Sequence, residues 1–399
     1  MKIFLTGATG VLGSHIMYDF LEYFIDNKVD GKIFLVARDK GKVGAKERIN
    51  ALLSSDYTPK ALLEKGAENL FQYIEMVNSD IENLEASVIK QLEGAYFIHS
   101  AGFVNLSTDL DQKDKIFHEN TFHTKSIFDV VSPYIKKFIY ISTAFSSGVR
   151  SGLVSNDFHN LEDPLAHRNA YEHAKFHAEE FIMTQCTKLN LPYQILRPSV
   201  IGGKMLSDDN RYFIPKHMVF YLMAKFFHFT SQLRDLQDHV RFVINKETGL
   251  NIIPVDYVSK VIVSIFQRAD VTQLNIVHNK SFNLERGIKL IMKEVGYANF
   301  SFLSNSKAFE YQNNIEKAFY ESIGKHLTPY LISTPSEFDT TQLNSIEEIP
   351  ALDDQSFTEM IRYAKLKNFK DINIYISVSV CYFYNCLQNY FVISITLLY

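Results

Sequence analysis

Tryptophan is absent from this chain of 399 residues, and only three cysteines occur: Cys186, Cys381 and Cys386. Three cysteines are too few for a disulfide scaffold. They form no CxxC pair and have no clustered histidines, which argues against a structural zinc site. A basic excess is also missing. Lys and Arg number 41 against 45 Asp and Glu, for a net charge of -4, so the electrostatic footprint of a nucleic-acid binder is not there. The N-terminus lacks the apolar core of a signal peptide, because the run of Ile3, Phe4 and Leu5 stops at Thr6 and Gly7. A reducing, cytoplasmic location is the expectation. Residues 372–399 carry no charge, and that length is enough to cross a bilayer as a helix. Two features weigh against a membrane anchor: Ile372, Ile374, Ile376, Val378 and Val380 alternate in the manner of a strand, and six Asn, Gln and Ser residues precede position 390.

What the chain does hold is an ordinary globular balance, 46% apolar and 22% charged, with 32 Phe and 22 Tyr. The length suits two domains or one large domain with a cap. Over the first 200 or so residues, strand-like and helix-like stretches alternate. Predicted strands are Ile3–Leu5, Ile33–Val36, Phe71–Val77, Ala95–His99, Lys137–Ser142 and Tyr193–Arg197, with helices over Val11–Phe24 and Lys42–Leu53 among those between them. This rhythm implies an α/β fold with a doubly wound parallel sheet. After Gly203 the pattern changes to an aromatic helical stretch over Arg211–Phe229, a strand at Asn251–Pro254 and a helix through Phe266 with Asp256 as its cap. A strand at Gln273–His278 and a helix over Leu284–Val295 follow. The expected organisation is a dinucleotide-binding domain over 1–205 with sheet additions from about 250–280. A smaller, mainly helical lobe would comprise 206–250 and 281–370, and the tail 372–399 has no assigned role.

Thr6-Gly7-Ala8-Thr9-Gly10-Val11-Leu12-Gly13 follows the first strand and opens a helix. Glycines there permit a tight turn against a pyrophosphate, and the helix N-terminus offers free N–H groups and the positive end of its dipole. Between a strand and a helix, with a second strand beyond, the turn points to dinucleotide binding. Gly7, Thr9, Gly10, Val11, Leu12 and Gly13 are its candidate contacts. The second strand ends in Arg38, with Lys40, Lys42 and Arg48 nearby. A guanidinium fork suits a 2′-phosphate, which favours NADPH with Arg38 and Arg48 as contacts, while the adjacent Asp39 keeps NADH as the alternative.

Tyr171-Glu172-His173-Ala174-Lys175 sets Tyr171 and Lys175 one helical turn apart on one face. An ammonium beside the phenol is expected to lower its pKa, so that Tyr171 can exchange a proton with an alcohol or carbonyl oxygen. Ser142-Thr143 at the end of a strand offers a hydroxyl to the same oxygen.

Together these motifs resemble the extended short-chain dehydrogenase/reductases, over most of residues 1–205. The resemblance implies a Rossmann-type fold with Asp80 and Ile81 at the adenine and Ser100, Ala101 and Gly102 where the fourth strand meets the cofactor. It also implies Asn120 as a helix residue supporting the active site, and Pro198 and Ser199 beside the cofactor. Thr143 aligns with the catalytic hydroxyl, and Ser142 is the alternative. Tyr171 and Lys175 take both catalytic and cofactor roles. His123 departs from the usual glycine of the family. Leu35–Arg38, Tyr140–Ala144, Arg197–Ser199 and Ile253–Val258 resemble more narrowly the thioester reductases and fatty acyl-CoA reductases of the male-sterility type. That subgroup implies an acyl thioester substrate, on coenzyme A or a carrier protein, reduced to aldehyde or alcohol. The alternatives are nucleotide-sugar epimerisation or dehydration, a hydroxysteroid-type dehydrogenase, or a non-catalytic NADPH-binding regulator. His217, His228 and His239 are too dispersed to suggest a metal.

Overall fold

The computed structural model describes residues 1–39, 41–55, 57–77, 84–158, 167–207, 211–232, 238–304 and 309–371. Seven short apolar strands form one sheet: β1 (Lys2–Thr6), β2 (Lys32–Val36), β3 (Ile74–Val77), β4 (Tyr96–His99), β5 (Lys137–Ile141), β6 (Tyr193–Pro198) and β7 (Gln273–Ile276). Their order is β7-β6-β5-β4-β1-β2-β3, and every pairing is parallel. Sequences such as KIFLT and KFIYI are nearly continuous apolar runs because the central strands are covered on both faces. One face stacks Phe34, Phe4, Phe97 and Phe138 across four strands, with Phe4 and Phe34 centroids 4.5 Å apart. Each buried phenylalanine of this ladder contributes roughly 1.5–3 kcal/mol.

Nine helices of interest surround or extend the sheet: α1 (Val11–Asp26), α2 (Ala45–Leu53), α3 (Leu110–Phe117), α4 (His123–Val131), α5 (Ala170–Leu189), α6 (Phe220–Ser231), α7 (Val255–Ile265), α8 (Leu284–Val295) and α9 (Asp354–Leu366). α1 and α7 cover the face that carries Ile3, Leu5 and Leu35. α4 and α5 cover the phenylalanine face. A second core joins α6, α8 and α9 through Phe220, Phe227, Ile288, Met292, Phe357 and Met360. Strand order reverses between β1 and β4, and the register pairs Thr6 with both Val36 and His99. The carboxyl ends of β1, β2 and β4 therefore meet at the topological switch point, where ligands bind in open α/β sheets.

Several expectations need correction. The stretch Arg211–Phe229 is helical only from Phe220. Before it, Tyr212 donates its N–H to Lys204 O, Lys204 N–H returns to Phe213 O, and Tyr212 and Val219 have φ of 67° and 51°, outside the helical region. Asp256 does not cap α7, which has Pro254 at its N-cap. Its carboxylate instead accepts N–H groups of Met205 and Leu206 at 3.0 and 2.7 Å, closing the turn that leaves the first core. Phe71–Tyr73 is a 3-10 turn leading into β3. Lys40, Asp80, Ile81 and the tail 372–399 lie outside the described residues. Among the described residues no helix is long and apolar enough to cross a membrane.

Candidate active site

The turn after β1 is built by close approach. Gly7 has φ of +76°, and a Cβ there would lie 2.7 Å from Ala101 N. At Gly13 a Cβ would lie 2.1 Å from Gly7 O, so α1 can pack on the turn only without a side chain. Gly10 N–H donates to Gly7 O at 2.8 Å. Gly10 is also the N-cap of α1, which has no side-chain cap and no acid in its first turn. The first N–H groups of α1, at Val11, Leu12 and Gly13, are thus directed at whatever anion occupies the cradle.

Arg48 binds this turn to the tip of β2. It is 5% exposed, donating from Nη2 to Thr9 Oγ1 at 2.7 Å and from Nη1 to Arg38 O at 2.8 Å. Asp39 is turned away to α2, where its Oδ1 accepts Ala45 N–H at 2.7 Å. The acid adjacent to Arg38 is therefore engaged at a helix N-terminus.

Beneath the switch point runs a relay of hydrogen bonds. Ala101 N–H donates to Thr6 Oγ1 at 3.1 Å, and Thr6 Oγ1 lies 2.8 Å from His99 Nδ1. His99 Nε2 is 3.1 Å from Thr124 Oγ1, which donates to Asn120 O at 2.7 Å. Thr124 spends its one proton on Asn120, so His99 must carry its proton on Nε2 and accept from Thr6. Burial, then the charges of Lys175 and His123, hold His99 well below the ordinary histidine range, in keeping with this neutral tautomer. Asn120 lies in the π-helical turn His118–Phe122 between α3 and α4. Its amide accepts Phe103 N–H at 2.9 Å and donates to Phe103 O and Ile116 O at 3.0 and 2.9 Å. Asn120 thereby holds the loop after Gly102 in place, a positioning role.

Thr143 and Tyr171 come to the same edge from different elements. Thr143 caps the turn Ala144–Ser147, its Oγ1 accepting Phe145 N–H at 3.4 Å. The Ser142 hydroxyl, the alternative, is committed to Glu179 Oε1, as is Ser146 at 2.6 Å. Tyr171 begins α5 and packs with Ile116 and Ala174. Lys175 sits one turn on, where its ammonium donates to Ile141 O at 2.8 Å and lies 4.5 Å from the centroid of the Tyr140 ring. A Cβ at Gly102 would lie 3.4 Å from Lys175 Nζ and 3.3 Å from Asn120 Oδ1, so these three residues share one small space.

The electrostatics differ from the expectation that Lys175 would lower Tyr171. In the protein, burial first and the neighbouring Glu172 second push the Tyr171 phenol up. Lys175 itself is lowered to about 8 by burial, partly offset by Glu179. Desolvation outweighs pairing here because both side chains are nearly enclosed and the ammonium is turned to the end of β5.

Neither Glu179 nor the residues that secure the start of α5 belong to the motifs above. Glu179 pairs with Arg197, Nε to Oε2 at 2.9 Å, with both side chains almost fully buried. Arg197 also donates to Asn156 O at 2.8 Å and to Gln273 Oε1 at 2.6 Å, tying α5, β6 and β7 together. The available signal was spacing: residues 171, 175 and 179 repeat every four positions on one helical face. The second group secures the start of α5. Asn169 caps it by accepting Glu172 N–H at 3.0 Å, and donates to Tyr330 Oη at 2.8 Å. Arg168 donates to Glu172 through its N–H at 3.0 Å and to Ser333 Oγ at 2.9 Å. Asn-x-x-Glu ahead of a helical run is a capping signature.

These residues fit a nicotinamide dinucleotide. The glycine cradle and open helix terminus suit a pyrophosphate. Ser199 Oγ is buried without a protein partner just past β6, where the resemblance puts the cofactor. Comparisons with known proteins agree. A family model described as male sterility protein matches residues 5–262. No curated protein matches the chain. Among solved structures, the terminal R domain of the myxalamid PKS-NRPS pathway is similar at TM-score 0.65 and 19% identity, covering 92% of this chain and 91% of that one. A UDP-glucuronic acid 4-epimerase from Bacillus cereus in complex with NAD follows at TM-score 0.61 and 17% identity, with 94% and 100% covered. UDP-glucose 4-epimerase from Thermotoga maritima is similar at 0.56 and 16%, with 92% and 99% covered.

Proposed function

The chain belongs to the male sterility protein family, and from that premise we propose that it is an NADPH-dependent reductase of an acyl thioester. As an extended short-chain dehydrogenase/reductase it is an NAD(P)-dependent oxidoreductase with a nicotinamide cofactor. The finer reading concerns which nicotinamide and which substrate.

For the cofactor, Arg48 and Arg38 frame the tip of β2 while Asp39 is engaged by Ala45. Guanidinium groups at this position favour a 2′-phosphate. Arg38→Ala is expected to weaken NADPH by ~10-fold or more, since charge-assisted contacts are worth roughly 1.5–3 kcal/mol, and to leave NADH nearly unchanged. Equal loss of both, by equilibrium titration, would remove Arg38 from 2′-phosphate recognition.

For the substrate, the observation that carries the reading is an apolar cavity of about 40 Å³ in the lobe, lined by Phe220, Met223, Phe282, Leu327 and Phe357 among others, and reaching Tyr330. Tyr330 touches the Asn169 cap of α5, which links this lining to the start of the helix that carries Tyr171. Apolar substrate atoms suit such a lining, and the polar groups of a nucleotide sugar do not.

Bound in the glycine cradle, NADPH would supply the hydride. Thr143 and Tyr171 hold the carbonyl oxygen by hydrogen bonds, and Tyr171 supplies the proton it needs. A phenol pushed up by burial stays protonated and so remains a donor. Lys175 supports the proton transfer and binds the nicotinamide ribose. Departure of the thiol leaves an aldehyde, and a second reduction yields the alcohol. The test is NADPH oxidation with acyl-CoA, an acyl-carrier thioester, the free fatty acid, a steroid ketone and a UDP-sugar. Free thiol released in step with NADPH loss is the expected result. Turnover of the steroid or the sugar without response to any thioester would overturn the proposal.

A further inference from the structure

On the side of α5 away from Tyr171 and Lys175, His173 and His177 stand one turn apart, with Nε2 atoms 2.9 Å from each other. Their ring centroids are 4.5 Å apart. The short separation is that of one N–H···N hydrogen bond between rings inclined at 40°. Two imidazole nitrogens bound to one ion at ~2.0–2.1 Å and about 90° apart stand about 2.9 Å from each other as well. The spacing of the two nitrogens therefore suits a cis pair of a tetragonal or octahedral centre better than a tetrahedral one, whose nitrogens would stand about 3.3 Å apart.

A second observation concerns the proton. His177 Nδ1 lies 3.4 Å from Glu180 Oε2. With Nδ1–H donated to that carboxylate, the lone pair of His177 is on Nε2, on the side of His173. A carboxylate behind a ligating imidazole is the usual outer partner of a metal-bound histidine. Phe117 of α3 packs edge-on against His173 at 5.3 Å, and His167 stacks on it at 5.1 Å, restricting the ring. His177 stays open to solvent, with its side chain 39% exposed.

We propose that His173 and His177 form a site for one divalent transition-metal ion, copper(II) foremost and nickel(II) next, outside the catalytic centre. Among the described residues no group of three or more His, Cys, Asp or Glu is placed to hold a metal. The site therefore rests on two imidazoles, with water completing the sphere. Cis nitrogen pairs and the order of divalent affinities both favour copper. On binding, the Nε2 proton of His173 passes to its Nδ1 by way of solvent, and the mutual hydrogen bond is replaced by two metal bonds. The ion would staple one turn of α5.

The full chain, stripped with EDTA and dialysed, would be titrated with copper(II) and nickel(II) by calorimetry, with copper EPR on the loaded protein. Wild type is expected to bind one equivalent more than His173→Ala or His177→Ala, with nitrogen hyperfine structure lost in both variants. Glu180→Gln should keep that equivalent but bind it about 10-fold more weakly. Thermal melts with and without copper give an independent reading, because an ion bound to the folded state raises Tm in wild type only. Equal stoichiometry and affinity in wild type and both histidine variants would overturn the site. A tetrahedral preference, with zinc bound more tightly than copper, would overturn its geometry.

Discussion

Tyr171 and Lys175, the proposed proton donor and its neighbouring cation, are held where water is nearly absent, and their behaviour follows from that enclosure. Tyr171→Phe removes one hydroxyl from a buried ring. Turnover should fall by ~10²–10⁴, the usual cost of a lost general acid, while cofactor affinity measured by fluorescence titration stays within a factor of about two of wild type. Activity above half of wild type would take Tyr171 out of the chemistry. Lys175 leads to a prediction on pH. Its folded pKa is about 8, against ~10.5 in an unfolded chain. Below 8 the residue is charged in both states, and the folded protein bears the full cost of enclosing it. Above 8 the unfolded chain holds the proton and the folded one does not, so stability rises with pH until about 10.5. In denaturant melts, wild type should gain about 1–2 kcal/mol on Lys175→Met between pH 7.5 and 9.5. A difference that stays flat across this range would show that Lys175 titrates normally.

At the scale of elements, α5 is the piece on which the site is assembled. One face carries Tyr171, Lys175 and Glu179, its start is held by Asn169, and Glu179 anchors it to Arg197 on β6. Spacing alone revealed Tyr171 and Lys175, because their chemistry needs only a helical turn between them. Glu179 continues that spacing, but its partner lies on a strand and nothing local marks a glutamate as buried. Removing one member of a buried ion pair leaves a stranded charge. Glu179→Ala should lower unfolding free energy by ~3–5 kcal/mol, and Glu179→Leu combined with Arg197→Met should recover most of it. Urea melts of both would check this, and an unchanged single variant would mean that water reaches Arg197. The segment before α6 failed as a helix for an equally specific reason. Apolar residues at helical spacing from Arg211 could not outweigh the backbone bonds that Lys204 makes with Tyr212 and Phe213.

For the whole molecule, the sheet with its covering helices and the lobe of α6, α8 and α9 are two cores that meet at the start of α5. Tyr330 and Ser333 reach from the lobe to Asn169 and Arg168 there. Tyr330→Phe should therefore cost about 1 kcal/mol of stability and raise KM for the acyl substrate, while leaving the cofactor Kd unchanged. A shift in cofactor Kd equal to that in KM would place Tyr330 elsewhere in the function.

The amino-acid sequence by itself determined the strands, most of the helices, the glycine turn and the Tyr171–Lys175 pair. Each depends on apolar period, on glycine, or on residues within one turn of helix. Only the tertiary structure decided the rest. Thr6 and Thr124 choose the tautomer of His99, Asp39 turns from the β2 tip to Ala45, and Asp256 closes the turn at Met205 instead of capping its own helix. Burial raises Tyr171 and lowers Lys175, against what their adjacency suggested. The physical reason is common to all of these. Desolvation and hydrogen-bond partnership depend on which distant segments pack around a group, and a sequence lists neighbours along the chain, not neighbours in space.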